Sequence, residues 1–142
     1  MIATETMSSI TESISRALGI DEKWIEQRGV SWIMSPALNP RRIAVVMNSI
    51  LARFVTITAS ELPASQGFRL EYLWDLEGKL LGFVISITGN SIDSIYDLCE
   101  AVDWIEREIH EGFAIDFLGR TYEPLLLRAG DAMGVNLHEE AK

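Results

Sequence analysis

Hydrophobic positions along the chain fall into helical and alternating runs. Ile10, Ile14, Ala17 and Leu18 recur at the spacing of one helix face, and Gly19 stands where such a helix would stop. Ser9-Ile10-Thr11-Glu12 has the S-x-x-E spacing of a capping box, which predicts that this helix begins there. Val30, Trp32 and Met34 alternate with smaller residues and predict a short strand. Asn39-Pro40 then reads as an N-cap followed by a first-turn proline. From there Ile43, Val46, Met47, Ile50, Leu51 and Phe54 keep a three- and four-residue spacing, predicting one amphipathic helix. Residues 54–58 are rich in β-branched side chains and predict the next strand.

The middle of the chain alternates without a break. Phe68, Leu70, Tyr72, Trp74 and Leu76 place five large apolar groups on one sheet face, and Leu81, Phe83, Ile85 and Ile87 repeat the pattern after a Glu77-Gly78-Lys79 turn. Residues 68–88 therefore predict an antiparallel hairpin. Ile95, Leu98, Val102, Ile105 and Ile109 return to helical spacing up to Gly112. The predicted order is helix, then β-α-β-β-β-α, then an irregular C-terminal tail. That order fits an α+β sandwich of the ferredoxin-like sort, with a four-stranded, mainly antiparallel sheet and helices packed on one face.

Composition narrows the chemistry. The 142 residues suffice for one domain, and 48% hydrophobic with 23% charged is ordinary globular usage. Twelve Lys and Arg against 21 Asp and Glu leave a net charge of −9, which repels phosphate backbones and anionic lipid. The acidity rises along the chain: net 0 over residues 1–50, −4 over 51–100 and −5 over 101–142. Cys99 is the sole cysteine and His110 and His138 the sole histidines, so no disulfide within the chain and no Cys- or His-built metal cage is available. The N-terminal residues lack the basic start and apolar stretch of a signal peptide, and no apolar run reaches bilayer length. The expectation is a cytoplasmic protein without nucleic-acid partner or membrane insertion; self-association stays open.

Sequence motifs for nucleotide binding or hydrolysis are absent. Glu106 and His110, one helical turn apart, could act as two metal ligands or as an acid–base couple, but a helix face carries such pairs for solubility far more often. The run Asp103-Trp104-Ile105-Glu106-Arg107-Glu108-Ile109-His110-Glu111 sets Arg107 between Asp103 and Glu111, each four residues away. Two readings stand level: a solvated salt-bridge ladder, or a recognition edge in which the planar guanidinium fixes carboxylates.

Trp104-Ile105-Glu106-Arg107-Glu108, followed by Phe113-Ala114-Ile115-Asp116-Phe117-Leu118-Gly119, resembles the W-x-E-R-E … F-G-I-x-F-x-G signature of one family. That family comprises the 30-kDa subunit of respiratory complex I and the matching subunits of membrane-bound NiFe hydrogenases. Residues 54–58 resemble its second strand, the 68–76 and 81–87 runs its hairpin, and Ile95-Tyr96-Asp97-Leu98 its short S-I-x-D-L segment, so the likeness covers about residues 30–127. Ala114 stands where the family has Gly, which predicts against a positive φ there. Gly119-Arg120-Thr121 replaces a G-H-P step, Glu123-Pro124-Leu125-Leu126-Leu127 replaces an Arg-rich stretch, and a further basic C-terminal segment has no counterpart. These departures fit a hydrogenase-type or diverged relative better than a standard member of complex I.

The resemblance implies an accessory subunit, non-catalytic and free of flavin, iron–sulfur cluster or nickel, in an oxidoreductase complex of NADH dehydrogenase or hydrogenase type. Its partner would be the large subunit that carries the quinone pocket or the NiFe centre, and its place peripheral to a membrane-bound complex. The implied partner-binding residues are Trp104, Glu106, Arg107, Glu108, Phe113, Ile115, Phe117 and Gly119. On this reading residues 1–142 form one domain: an N-terminal helix and connection (1–29), an α+β core (30–111), and a docking segment with tail (112–142). The alternative is a stand-alone ferredoxin-like protein-binding module that has diverged from the family.

Overall fold

The structure, a computed structural model, describes residues 4–122 and Gly134, with side chains from Ser8 onward. The expected C-terminal tail and His138 otherwise lie outside the described residues. The elements are α1 (Thr4–Leu18), β1 (Ile25–Gln27), β2 (Val30–Met34), α2 (Pro40–Ser49), β3 (Arg53–Glu61), β4 (Phe68–Leu76), β5 (Lys79–Ile87), β6 (Ser91–Asp93), α3 (Asp103–Phe113) and β7 (Asp116–Leu118). Five strands form one sheet in the order β1-β2-β5-β4-β3, in which only β2 and β5 run parallel. The α+β class and the mainly antiparallel sheet are as expected; β1 adds a fifth, exposed edge strand to the four anticipated. β6 and β7, which the alternation did not reveal, pair in parallel as a separate two-stranded ribbon.

The hairpin carries the core. Phe68, Leu70, Tyr72, Trp74 and Leu76 are all buried, as are Leu81, Phe83 and Ile85 on β5, and one helix face after another packs on them: Ile14 and Leu18, Ile43 and Met47, then Ile109. Phe54 meets Trp74 edge-on at 5.3 Å. The tight turn between β4 and β5 is held by the Asp75 carboxylate, which accepts from the Gly78 amide at 2.9 Å.

Several sequence expectations are corrected. α1 begins by Thr4, so Ser9 lies mid-helix and the capping-box spacing is incidental. On β2 the residue that enters the core is Ile33, while Met34 is exposed. Apolar groups occur on both faces of this strand, so period alone could not choose between them. Trp32 lies on the other side, in space left by Gly82, where even a Cβ would sit 2.3 Å from the indole.

Helix α2 starts at the expected Asn39 cap, whose side chain accepts from the Arg41 and Arg42 amides, but it ends at Ser49. Leu51 turns left-handed at φ +61° and stands 88% exposed, while the Ala52 amide reaches back to the Met47 carbonyl at 3.0 Å. Phe54 belongs to β3.

The helix anticipated from Ile95 is likewise shorter. Ile95 and Leu98 pack from a turn in which the Leu98 and Cys99 amides donate to the Ile95 carbonyl, and a 3-10 turn at Glu100–Val102 leads into α3. The helix passes through Gly112 to Phe113 and stops at Ala114, which is left-handed at φ +56° despite its side chain. The expectation of a negative φ there is overturned: the chain keeps the geometry suited to glycine and bears the strain of a Cβ.

Candidate functional site

α3 places Asp103, Glu106 and Arg107 beside the 94–98 turn and the segment after β7. Glu106 is wholly buried. Its Oε1 accepts from the Ser94 hydroxyl at 2.6 Å and from Arg120 Nη1 at 3.2 Å, and its Oε2 accepts from the Ile95 amide at 3.0 Å. A carboxylate taken out of water at this depth is tolerable only with such partners. Burial pushes the Glu106 carboxyl above its ordinary value, against the pull of Ser94, the Ile95 amide and Arg120.

Arg120 closes the cluster. Its side chain is 4% exposed, with Nη2 donating to Asp103 Oδ1 at 2.6 Å and Nε to the Thr121 carbonyl at 3.0 Å. Burial opposes the Arg120 cation, but Asp103 and Glu106 outweigh it and hold the group charged. The guanidinium lies 4.7 Å from the Tyr96 ring and 5.0 Å from that of Tyr122. Tyr122 in turn donates to the Phe117 carbonyl and accepts from its amide, which fixes β7.

The S-I-x-D-L segment gains a physical role. Ser94 binds Glu106, its oxygen also accepts the Tyr96 amide, and Asp97 receives a two-pronged bond from Arg41 of α2 at 2.7 and 2.8 Å. Arg41 also donates to the Ser94 carbonyl at 2.9 Å. The turn is therefore pinned between α2 and α3.

Seven of the eight sequence-predicted residues divide into two sets. Glu106, Ile115 and Phe117 are buried, and Phe113 packs edge-on against Phe68 at 6.1 Å, so these four hold the segment from within. Trp104 is 58% exposed, and Glu108 and Gly119 are exposed as well. Arg107 lies between: Nη2 sits 3.3 Å from Asp103, and its guanidinium 5.8 Å from the Trp104 ring. The ladder exists on the Asp103 side; Glu111 is buried.

His110 does not join Glu106. Its Nδ1 is 2.8 Å from the Ile115 carbonyl, so this nitrogen carries the proton and donates, and its ring stacks on Tyr122 at 3.7 Å. Both members of the conceivable acid–base pair are thus engaged elsewhere. Among the described residues no group of three or more His, Cys, Asp or Glu side chains is placed to hold a metal. Nor is any helix among them long and apolar enough to cross a membrane.

Sequence reasoning missed Ser94, Asp97 with Arg41, and the stack of Tyr122. Arg120 stood out only as a basic residue where the family carries histidine.

The family described as "Respiratory-chain NADH dehydrogenase, 30 Kd subunit" matches residues 37–138 of this chain. The chain belongs to that family. No curated protein matches it. Among solved structures it is similar to a chain of the membrane-bound sulfane sulfur reductase, an archaeal respiratory membrane complex. The identity is 18% and the TM-score 0.76, over 91% of this chain and 80% of that one. It is also similar to the trypsin-resistant fragment of Nqo5, at 17% identity and TM-score 0.60, over 82% and 98%. At these identities the likeness establishes a shared fold. The Glu106–Arg120 cluster, both β6–β7 strands and the 94–98 turn all fall inside the span matched by the 30-kDa subunit family.

Proposed function

We propose that this chain is an accessory subunit, without a cofactor of its own, of a complex-I-like NADH:quinone oxidoreductase or a related membrane-bound NiFe hydrogenase. It docks onto the large subunit through the outward side of residues 104–119. The observation that carries this reading is the division within the signature: Glu106, Ile115 and Phe117 anchor inward, while Trp104, Glu108, Asp116 and Leu118 face solvent. A buried, multiply bonded carboxylate on the inward side of a helix whose outward side bears an exposed tryptophan is costly to build for a surface that does nothing, and exposed aromatic groups are common anchors at interfaces. Membership of the 30-kDa subunit family supports the subunit role.

In this reading residues 30–111 are the core, whose α3 surface shares the docking role with the segment from 112, and the N-terminal helix with its connection buttresses the core. The chain sits on the cytoplasmic side, peripheral to the membrane-bound parent complex. Co-expression with the candidate large subunits of the source genome tests this. The expected result is a one-to-one complex on size exclusion; a chain that elutes alone beside every such partner contradicts it.

A further inference from the structure

We propose that the outward face running from Tyr96 through Glu100 and Trp104 to Glu108 is a docking stripe for a basic protein segment, one that presents two cationic side chains on either side of an apolar one. The inference rests on the subunit reading above and adds the chemistry of the partner's contacting segment.

The cations near this face are matched within the chain: Arg120 by Asp103 and Glu106, Arg107 by Asp103, and Arg41 by Asp97. Glu100 and Glu108 are exposed and make no ion pair among the described residues. The stripe therefore carries two unmatched negative charges.

Between them in the chain stands Trp104, one helical turn before Glu108 and four residues after Glu100, exposed over more than half its surface and backed by the Arg107 guanidinium. Beside Glu100 a cleft opens that is lined by Tyr96, Asp97 and Gly119–Thr121, with Arg120 lying over the Tyr96 ring and its charge met by Asp103 and Glu106. The unpaired Glu100 carboxylate at its rim suits an arginine or lysine side chain of the partner.

Geometry sets the partner's spacing. Glu100 and Glu108 are eight residues apart through a 3-10 turn and α3, so their backbones stand roughly 12–14 Å apart along the axis. A partner helix with a basic–apolar–basic pattern at four-residue intervals matches that span. Other occupants fit worse. A net charge of −9 repels phosphate backbones and anionic lipid, and a second copy of the same face would set carboxylate against carboxylate.

The test uses the full chain and the purified large subunit from the same source, with Kd measured at low and at high salt. Glu100→Gln with Glu108→Gln should weaken binding roughly 10–100-fold at low salt, with the gap closing as salt rises. Trp104→Ala should weaken it by a similar factor at both salt levels. Glu12→Gln, on the exposed side of α1, should change nothing. All four positions are exposed, so melting temperatures should stay at the wild-type value and folding will not confound the comparison. Unaltered affinity in the double glutamine variant overturns the stripe while leaving the subunit reading intact. Failure of the wild type to bind the large subunit overturns the subunit reading, and the stripe with it.

Discussion

Arg120 Nη1 donates to Glu106 Oε1 at 3.2 Å across fourteen residues of chain, tying the segment after β7 to the middle of α3. With Ser94 on the same carboxylate oxygen, three separate stretches meet at one buried group. The 94–98 turn, α3 and the segment after β7 are thus locked together by this buried group rather than by local helix propensity.

The lock predicts which arginine matters for folding. Arg120→Ala leaves Glu106 buried without its cation and should cost about 3–5 kcal/mol. Arg107→Ala, at a more open ion pair, should cost about 1 kcal/mol or less. Chemical denaturation of the two variants ranks them, and equal losses would contradict this account of the cluster.

Two carboxylates should pull stability in opposite directions with pH. Glu106 titrates above its ordinary 4.5 because burial disfavours the anion, so the folded chain takes up this proton before the unfolded chain does. Its contribution to stability rises as pH falls from the raised value toward 4.5, and levels off below that. Asp97 is held below its ordinary 3.8 by the Arg41 hydrogen bond. Its contribution is present above 3.8 and is lost as pH falls through the lowered value. Melting curves across acid pH should show Glu106→Gln removing the first dependence and Asp97→Asn the second; a Glu106→Gln profile parallel to wild type would refute the assignment.

Ala114 predicts a gain. At φ +56° it carries the strain of a Cβ in the left-handed region, so Ala114→Gly should stabilise the fold by about 0.5–1 kcal/mol. A lower melting temperature for this variant would mean that the methyl group packs usefully enough to offset the strain.

What was legible in the sequence depended on range. The β4–β5 hairpin could be read because five and four large groups alternate with no exception, and Asn39-Pro40 marked the start of α2 through local capping chemistry. Leu51 and Ile95 misled because an apolar residue at helical spacing looks the same whether it continues a helix or follows a turn. Trp104 and Glu108 fall on the exposed side of α3, as a helical wheel would place them. The partners of Glu106 were hidden, since Ser94 lies twelve residues before it and Arg120 fourteen after, distances at which no periodicity links side chains.

The central claim is that this chain serves as a docking subunit whose exposed α3 face meets a larger partner. Affinity purification of the tagged chain from its native host, with subunit stoichiometry read by quantitative mass spectrometry, tests it most directly. The account predicts one large subunit per chain for wild type and a strong loss of that subunit with Trp104→Ala at unchanged chain yield. Recovery of the wild-type chain with no respiratory-complex subunit in stoichiometric amount would contradict it.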